Sequence, residues 1–446
     1  MLGATGIAQR TSVPDKTRVL VVLDCSKSMW DKWQSDTKIK VTQRVLLREL
    51  ESLQGYTGME VALRLFGSDG QGFYATQLAV PFGKVNFAKL QSKIKALMPL
   101  GGASEATKPQ TLNDFPAGDD ARNILLIISD GIDGREGAIC DIAYQEQRNS
   151  AIAEIFTVGI GSDRNLKVSP NCGGPFYSSA SEESLYEVVH ELFQLSDQKA
   201  RVTLELLDSE GTPYEAEVPI ALYDRRTHEM KYATVYHYDP EHGTDTLMVD
   251  PLASYDIAFY TKPPILSTGY QFKGGQHNRV TVTAPQGSLR LHYENKRTAF
   301  QIASYSMLVR RHGEQEVLAI QPMETPMTYL AGSYDLELLS TPPLKLSNVT
   351  VRSGSATDLQ IPVPGQLALE KPKVATTGSV FAFSDGGMKW VCDLGSSFSE
   401  RIVLMPGEYQ VILKPQEAMD YSSARTARFT ITSAQQTSVN LEKQGH

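Results

Sequence analysis

The chain has 446 residues, 41% of them apolar, with 34 glycines. A length of this order holds about three domains, and the composition excludes gross disorder, collagen and coiled coil. The 43 Lys and Arg against 51 Asp and Glu leave a net charge of −8, spread without long like-sign blocks, which argues against nucleic acid as the main partner because phosphate binding needs concentrated cations.

Residues 1–9 are small and apolar and end in Gly6-Ile7-Ala8-Gln9. They read as the tail of a secretory signal without its basic start, or as a flexible N-terminal tail; residues 1–16 are set apart accordingly. From there to about residue 199, apolar runs alternate with helical patterns. Arg18-Val-Leu-Val-Val-Leu23 is a continuous apolar run, as a strand buried on both faces requires. Residues 39–54 carry Leu46, Leu50 and Leu53 at helical spacing. Val61, Leu63 and Leu65 alternate as a second strand, and Phe87, Leu90, Ile94 and Leu97 form a helical stripe. Strands over 123–128 and 155–160 and helices over 140–151 and 185–195 complete the pattern. Strands alternating with helices predict a doubly wound, mostly parallel α/β sheet, whose functional crevice lies at the carboxyl ends of the strands. No apolar run reaches the ~18 residues of a membrane-spanning helix.

After residue 200 the helical period disappears and short alternating strands dominate. Ser254-Tyr-Asp-Ile-Ala-Phe-Tyr-Thr-Lys-Pro-Pro264 recurs as Ser333-Tyr-Asp-Leu-Glu-Leu-Leu-Ser-Thr-Pro-Pro343, and more weakly as Gly407-Glu-Tyr-Gln-Val-Ile-Leu-Lys-Pro415. The aligned Tyr255, Tyr334 and Tyr409 are 79 and 75 positions apart. Each copy restarts at a Gly-x-Leu, Gly287-Ser-Leu289 and Gly365-Gln-Leu367. A period of about 78 residues predicts small antiparallel β-sandwiches in tandem, with boundaries at 200–286, 287–364 and 365–446.

The densest chemistry ends the first strand: Leu23-Asp24-Cys25-Ser26-Lys27-Ser28. Asp24, Ser26 and Ser28 can turn three oxygens toward one point, and Ile128-Ser129-Asp130-Gly131 brings a second strand-terminal carboxylate to the same edge. Oxygen-only ligands of low negative charge suit a hard divalent cation, Mg²⁺ first, with Mn²⁺ or Ca²⁺ as substitutes. A lone Asp-x-Ser-x-Ser would read as a helix cap and turn; the second strand end turns the balance toward a metal site. Met29, Trp30 and Trp33 follow it as partner anchors or as core packing. Of the four cysteines, Cys25, Cys140, Cys172 and Cys392, no two form a C-x-x-C pair, so neither a zinc ribbon nor a thioredoxin site is indicated. Cys140 and Cys172 either form one disulfide in an oxidising compartment or remain separate thiols.

On these motifs, residues 17–199 resemble a von Willebrand factor A domain, whose metal-ion-dependent adhesion site uses Asp-x-Ser-x-Ser, a later Thr and a later Asp. The resemblance maps that site onto Asp24, Ser26, Ser28 and Asp130. The loop that usually carries the Thr reads Pro99-Leu-Gly-Gly-Ala-Ser-Glu105, so Ala103 stands at the Thr position. Either Ser104 supplies the hydroxyl by a one-residue shift, or a water fills the gap. The family's arrangement implies an ion with an open coordination position that a partner protein's carboxylate completes, which is adhesion and not catalysis. The C-terminal repeats resemble carboxypeptidase-regulatory-like or PEGA-type β-sandwiches of bacterial envelope proteins.

Enzyme alternatives lack residues. A haloacid-dehalogenase-like phosphatase needs Asp-x-Asp, and position 26 is Ser; there is no G-x-S-x-G elbow, H-E-x-x-H or phosphate-binding G-x-x-x-x-G-K-[ST]. The expectation is a non-catalytic, exported adhesion or scaffold protein of the bacterial periplasm or cell surface. Two alternatives are an assembly subunit docking on an envelope machine and, less well supported, a metal-dependent hydrolase.

Overall fold

The computed structural model describes residues 13–66, 76–83, 86–99, 114–116, 121–130, 152–161, 175–213, 217–239, 241, 243–294, 300, 305–384, 386–416 and 423–442. Six strands form the first sheet: β1 (Thr17–Asp24), β2 (Met59–Phe66), β3 (Thr76–Val80), β4 (Arg122–Ser129), β5 (Ile152–Ile160) and β6 (Phe176–Ser179). Their spatial order is β3-β2-β1-β4-β5-β6. All pairs are parallel except β2 with β3. Every residue of β1 and β4 is buried, as their unbroken apolar runs require.

Helices α1 (Lys38–Ser52), α2 (Phe87–Lys95) and α3 (Glu182–Asp197) cover one face. Val45, Leu46 and Leu50 of α1, Leu90 and Ile94 of α2 and Val189 and Phe193 of α3 close over Val19, Val21 and Leu23 of β1. On the other face Leu20, Val22, Leu125 and Ile127 pack with Phe82 and Phe115, whose rings stack 5.3 Å apart. Ser181 caps α3 reciprocally with Ser184. The helix expected over 140–151, with Cys140, lies outside the described residues, as does Cys172. The short edge strands β3 and β6 were not anticipated from the sequence.

From residue 200 the principal strands fall into three successive sets of seven. The first is β7 (Ala200–Leu207), β8 (Val218–Asp224), β9 (Met230–Tyr236), β10 (Thr246–Val249), β11 (Ser254–Phe259), β12 (Ile265–Gln271) and β13 (His277–Thr283). The second is β14 (Gln286–Tyr293), β15 (Ser306–Arg311), β16 (Val317–Pro322), β17 (Met327–Leu330), β18 (Gly332–Leu338), β19 (Leu344–Val351) and β20 (Ala356–Ile361). The third is β21 (Gly365–Glu370), β22 (Thr376–Ser384), β23 (Gly387–Asp393), β24 (Ser399–Leu404), β25 (Gly407–Pro415), β26 (Arg425–Ile431) and β27 (Gln436–Asn440).

Each set makes the same two sheets. The fourth, first and seventh strands form one; the third, second, fifth and sixth form the other. The pairing is mostly antiparallel, but β14 runs parallel to β20 and β21 parallel to β27. The repeated tyrosine sits on the fifth strand each time and is almost wholly buried. Tyr255 donates its hydroxyl to the Asp250 carbonyl at 2.9 Å, Tyr334 to Leu330 at 2.6 Å and Tyr409 to Met405 at 2.6 Å. This backward bond from a strand onto the chain four or five residues upstream fixes the corner before it, as in other sandwich folds.

The Gly-x-Leu restart also has a steric cause. A Cβ on Gly287 would lie 2.1 Å from the Arg352 carbonyl oxygen, and one on Gly365 2.5 Å from that of Thr432. Backbone oxygens cannot swing aside. Gly287→Ala is therefore expected to destabilise by about 1–3 kcal/mol, the usual cost of overpacking, in denaturant unfolding. Gly386→Ala, where nothing lies within 4 Å, is the matched control and should change little.

The chain divides into two compact units: Met1–Glu205, Glu215–Phe259 and Leu266–Thr281 form one, and Leu206–Tyr214, Tyr260–Ile265 and Val282–His446 the other. Inside the first unit, Arg122 at the start of β4 is buried and grips the Asp250 carboxylate with two nitrogens. Its third nitrogen donates to the carbonyls of Ser196, at 2.7 Å, and Gln198, at 2.9 Å. Arg226 donates to the Ile152 carbonyl at 2.6 Å. These bonds lie at the amino ends of β4 and β5, so the carboxyl ends remain for the site.

Candidate metal centre

In the order β3-β2-β1-β4-β5-β6 the chain leaves β1 toward one side and returns on the other, so the topological switch falls between β1 and β4. The switch point is where such sheets open a crevice. Asp24 is the last residue of β1, and Asp130 follows the last residue of β4.

A continuous set of hydrogen bonds, one of them through a backbone amide, links these residues. Asp24 Oδ1 accepts the Ser26 amide at 2.8 Å and Oδ2 accepts the Ser129 hydroxyl at 2.5 Å. The Ser26 and Ser28 hydroxyls lie 2.9 Å apart, and Ser28 Oγ donates to Asp130 Oδ1 at 2.8 Å. Thus Asp24, Ser26, Ser28 and Asp130 are gathered at one strand edge. Ser104, and Ala103 beside it, lie outside the described residues.

Three further residues shape the site. Ser129 stands beside Asp24 because Leu23 pairs with Ile128 in the parallel register. Lys38, the first residue of α1, places its ammonium 2.6 Å from Asp130 Oδ2. Gly161, just past β5 with φ +76°, leaves room for the Lys38 stem and the Trp33 ring. Ser129 had a signal, since it precedes the strand-end Asp; Lys38 had none, because its reach across to Asp130 is purely tertiary.

Burial pushes the Asp24 carboxyl up to about 6 against the bonds from Ser129 and Ser26, and the Asp130 charge adds to the rise. Burial likewise pushes the Cys25 thiol up to about 12, so it is an inert core group. Met29 and Trp33 belong to the core. Residues 27–30 form a single 3₁₀ turn, and Trp33 lies in a two-residue ladder with Asp36. Trp30 is 40% exposed, and its indole N–H donates to the Pro99 carbonyl at 2.7 Å.

Among the described residues no three His, Cys, Asp or Glu side chains are grouped to hold a metal. What converges instead is two carboxylates and two hydroxyls, a donor set of hard oxygens that fits Mg²⁺, Mn²⁺ or Ca²⁺ and offers nothing to a soft ion.

No protein-family model matches the chain, and no curated protein does. Solved structures do match. An aerotolerance-related membrane protein from Bacteroides fragilis NCTC 9343 is 14% identical, over 39% of this chain and 97% of that one, with a TM-score of 0.32. The pilus adhesin SpaC from Lactobacillus rhamnosus GG is 8% identical over 97% of this chain and 88% of its own, with a TM-score of 0.33. Proximal thread matrix protein 1 from the mussel byssus, with a zinc-occupied MIDAS motif, is 15% identical over 46% of this chain and 55% of its own, at 0.31. With scores this low the likenesses do not bear the functional reading, which rests on the chain's own residues. No helix among the described residues is long and apolar enough to cross a membrane.

Proposed function

We propose that the chain is a non-catalytic, divalent-metal-dependent binding protein of the bacterial envelope, an adhesin or scaffold that captures a partner protein's carboxylate. The observation that carries this is the gathering of Asp24, Ser26, Ser28 and Asp130 at the switch point between β1 and β4. Asp24 and Asp130 supply the charge that attracts a cation, and Ser26 and Ser28 supply neutral oxygens. A bound Mg²⁺ ion contributes an electrophilic centre whose remaining position a carboxylate oxygen completes. Ser129 and the Ser26 amide hold the Asp24 carboxylate in place. Trp30, tied to Pro99, flanks the motif as a contact surface.

The same reading assigns residues 17–199 to an A-type domain and 200–286, 287–364 and 365–446 to three β-sandwich modules that present it. It also takes Ser104 as the substitute for the family's Thr.

Calorimetric titration of the full chain with Mg²⁺ and Mn²⁺ tests it. Binding is expected for the unaltered chain and its loss, by about 100-fold or more, for Asp24→Ala, since one of two anionic ligands of a hard ion is gone. Equal heats from both proteins would refute the reading.

A further inference from the structure

A cation of the chain already stands in the oxygen cluster. The Lys38 ammonium meets Asp130 on the oxygen opposite the one that accepts Ser28, and lies 3.7 Å from Asp31 Oδ2. The helix does not favour it there. Lys38 is the first residue of α1, where the positive end of the helix dipole repels cations and stabilises acids. The surroundings hold it nonetheless. A Cβ on Gly161 would lie 3.3 Å from Lys38 Cε, so that glycine leaves the space the stem runs through. Only 17% of the side chain is exposed, while the Asp31 side chain is 69% exposed.

We propose, resting on the metal reading above, that Lys38 is a tethered counter-ion that competes with the divalent ion for Asp130 and so sets the metal affinity of this site. With the ammonium in place the two carboxylates carry a net charge of one instead of two, and a dication is attracted less. Two positive charges sharing one carboxylate also repel at short range, where the local dielectric is below that of water. Metal entry then requires the ammonium to release Asp130 Oδ2. Asp31 is the acceptor within reach, and being exposed it costs little to engage. The site is thereby buffered: it stays compact without metal and admits the ion only at concentrations that displace the lysine.

The test is Mn²⁺ titration by calorimetry on the full chain, with thermal melting in the absence and presence of Mn²⁺, for the unaltered protein, Lys38→Met, Lys38→Arg and Asp24→Ala. Lys38→Met keeps the stem and removes the charge. It is expected to bind Mn²⁺ at least about tenfold more tightly, to melt lower without metal and to gain more from saturating Mn²⁺; Lys38→Arg should stay near the unaltered affinity. A Lys38→Met protein that melts lower but binds Mn²⁺ equally well would reduce Lys38 to a structural ion pair and overturn the proposal, as would weaker binding. If neither the unaltered chain nor Lys38→Met binds Mn²⁺ better than Asp24→Ala does, the metal reading itself falls, and this inference with it.

Discussion

Arg122→Ala is expected to cost about 3–5 kcal/mol of stability in the first unit, the usual penalty for leaving a buried charge without its partner. The guanidinium is 2% exposed, and all three of its nitrogens are engaged. Deleting it strands Asp250, which is itself 7% exposed. It also leaves the Ser196 and Gln198 carbonyls without this donor and opens a void at the amino end of β4. Asp250 holds more than this one pair: its Oδ1 accepts the Leu252 amide at 2.9 Å, and its carbonyl accepts Tyr255. The double variant Arg122→Met with Asp250→Asn removes both charges together and should recover much of the loss, because a buried pair replaced as a pair is often near neutral. Denaturant unfolding followed by tryptophan fluorescence reads this, since Trp33 is in the core of the first unit. A loss below about 1 kcal/mol for Arg122→Ala would show that the clamp holds nothing.

Glu154→Gln should do the reverse and stabilise, with an effect that depends on pH. Burial raises the Glu154 carboxyl from 4.5 to about 7, and the nearby charges of Asp250 and Asp224 add to the rise; the Ile155 amide and Arg226 oppose it. The folded state therefore holds a proton that the unfolded chain has already released between pH 4.5 and about 7. Where the folded state binds more protons, stability falls as pH rises. Below pH 4.5 both states are protonated and the two proteins should be equal. Above about pH 7 the unaltered chain carries the full penalty, which at about 1.4 kcal/mol per pH unit amounts to up to about 3 kcal/mol. The difference between Glu154→Gln and the unaltered protein, from denaturant midpoints at pH 4 to 8, should thus grow from near zero to that value. A difference independent of pH would contradict it.

How much of this was legible in the sequence depended on where each signal resides. The strand–helix alternation was visible because β1 and β4 are buried on both faces and so are apolar without interruption. The edge strands β3 and β6 were not, because four or five residues with a partner on one side leave only a weak pattern. Asp24, Ser26, Ser28 and Asp130 could be named because they sit at, or just past, the ends of readable strands. Lys38 could not, since only the packing of α1 against the sheet carries its ammonium to Asp130. Spacing alone picked out Tyr255, Tyr334 and Tyr409, yet the parallel pairing within the second and third sets was hidden. Composition records that a segment is a strand, not which way its neighbour runs.

That parallel pairing has a mechanical consequence. β14 and β20 enclose the whole second set between them, and they lie side by side from Ser288 with Ala356 to Tyr293 with Ile361. β21 and β27 do the same for the third, from Gln366 with Gln436 to Glu370 with Asn440. Tension on the chain pulls the leading end of the first strand and the trailing end of the last in opposite directions along their shared axis. The bonds between them are then loaded in shear and must break together, whereas an antiparallel hairpin pulled from its open end unzips one bond at a time. Each set is wired to resist stretching along the direction in which the chain itself runs.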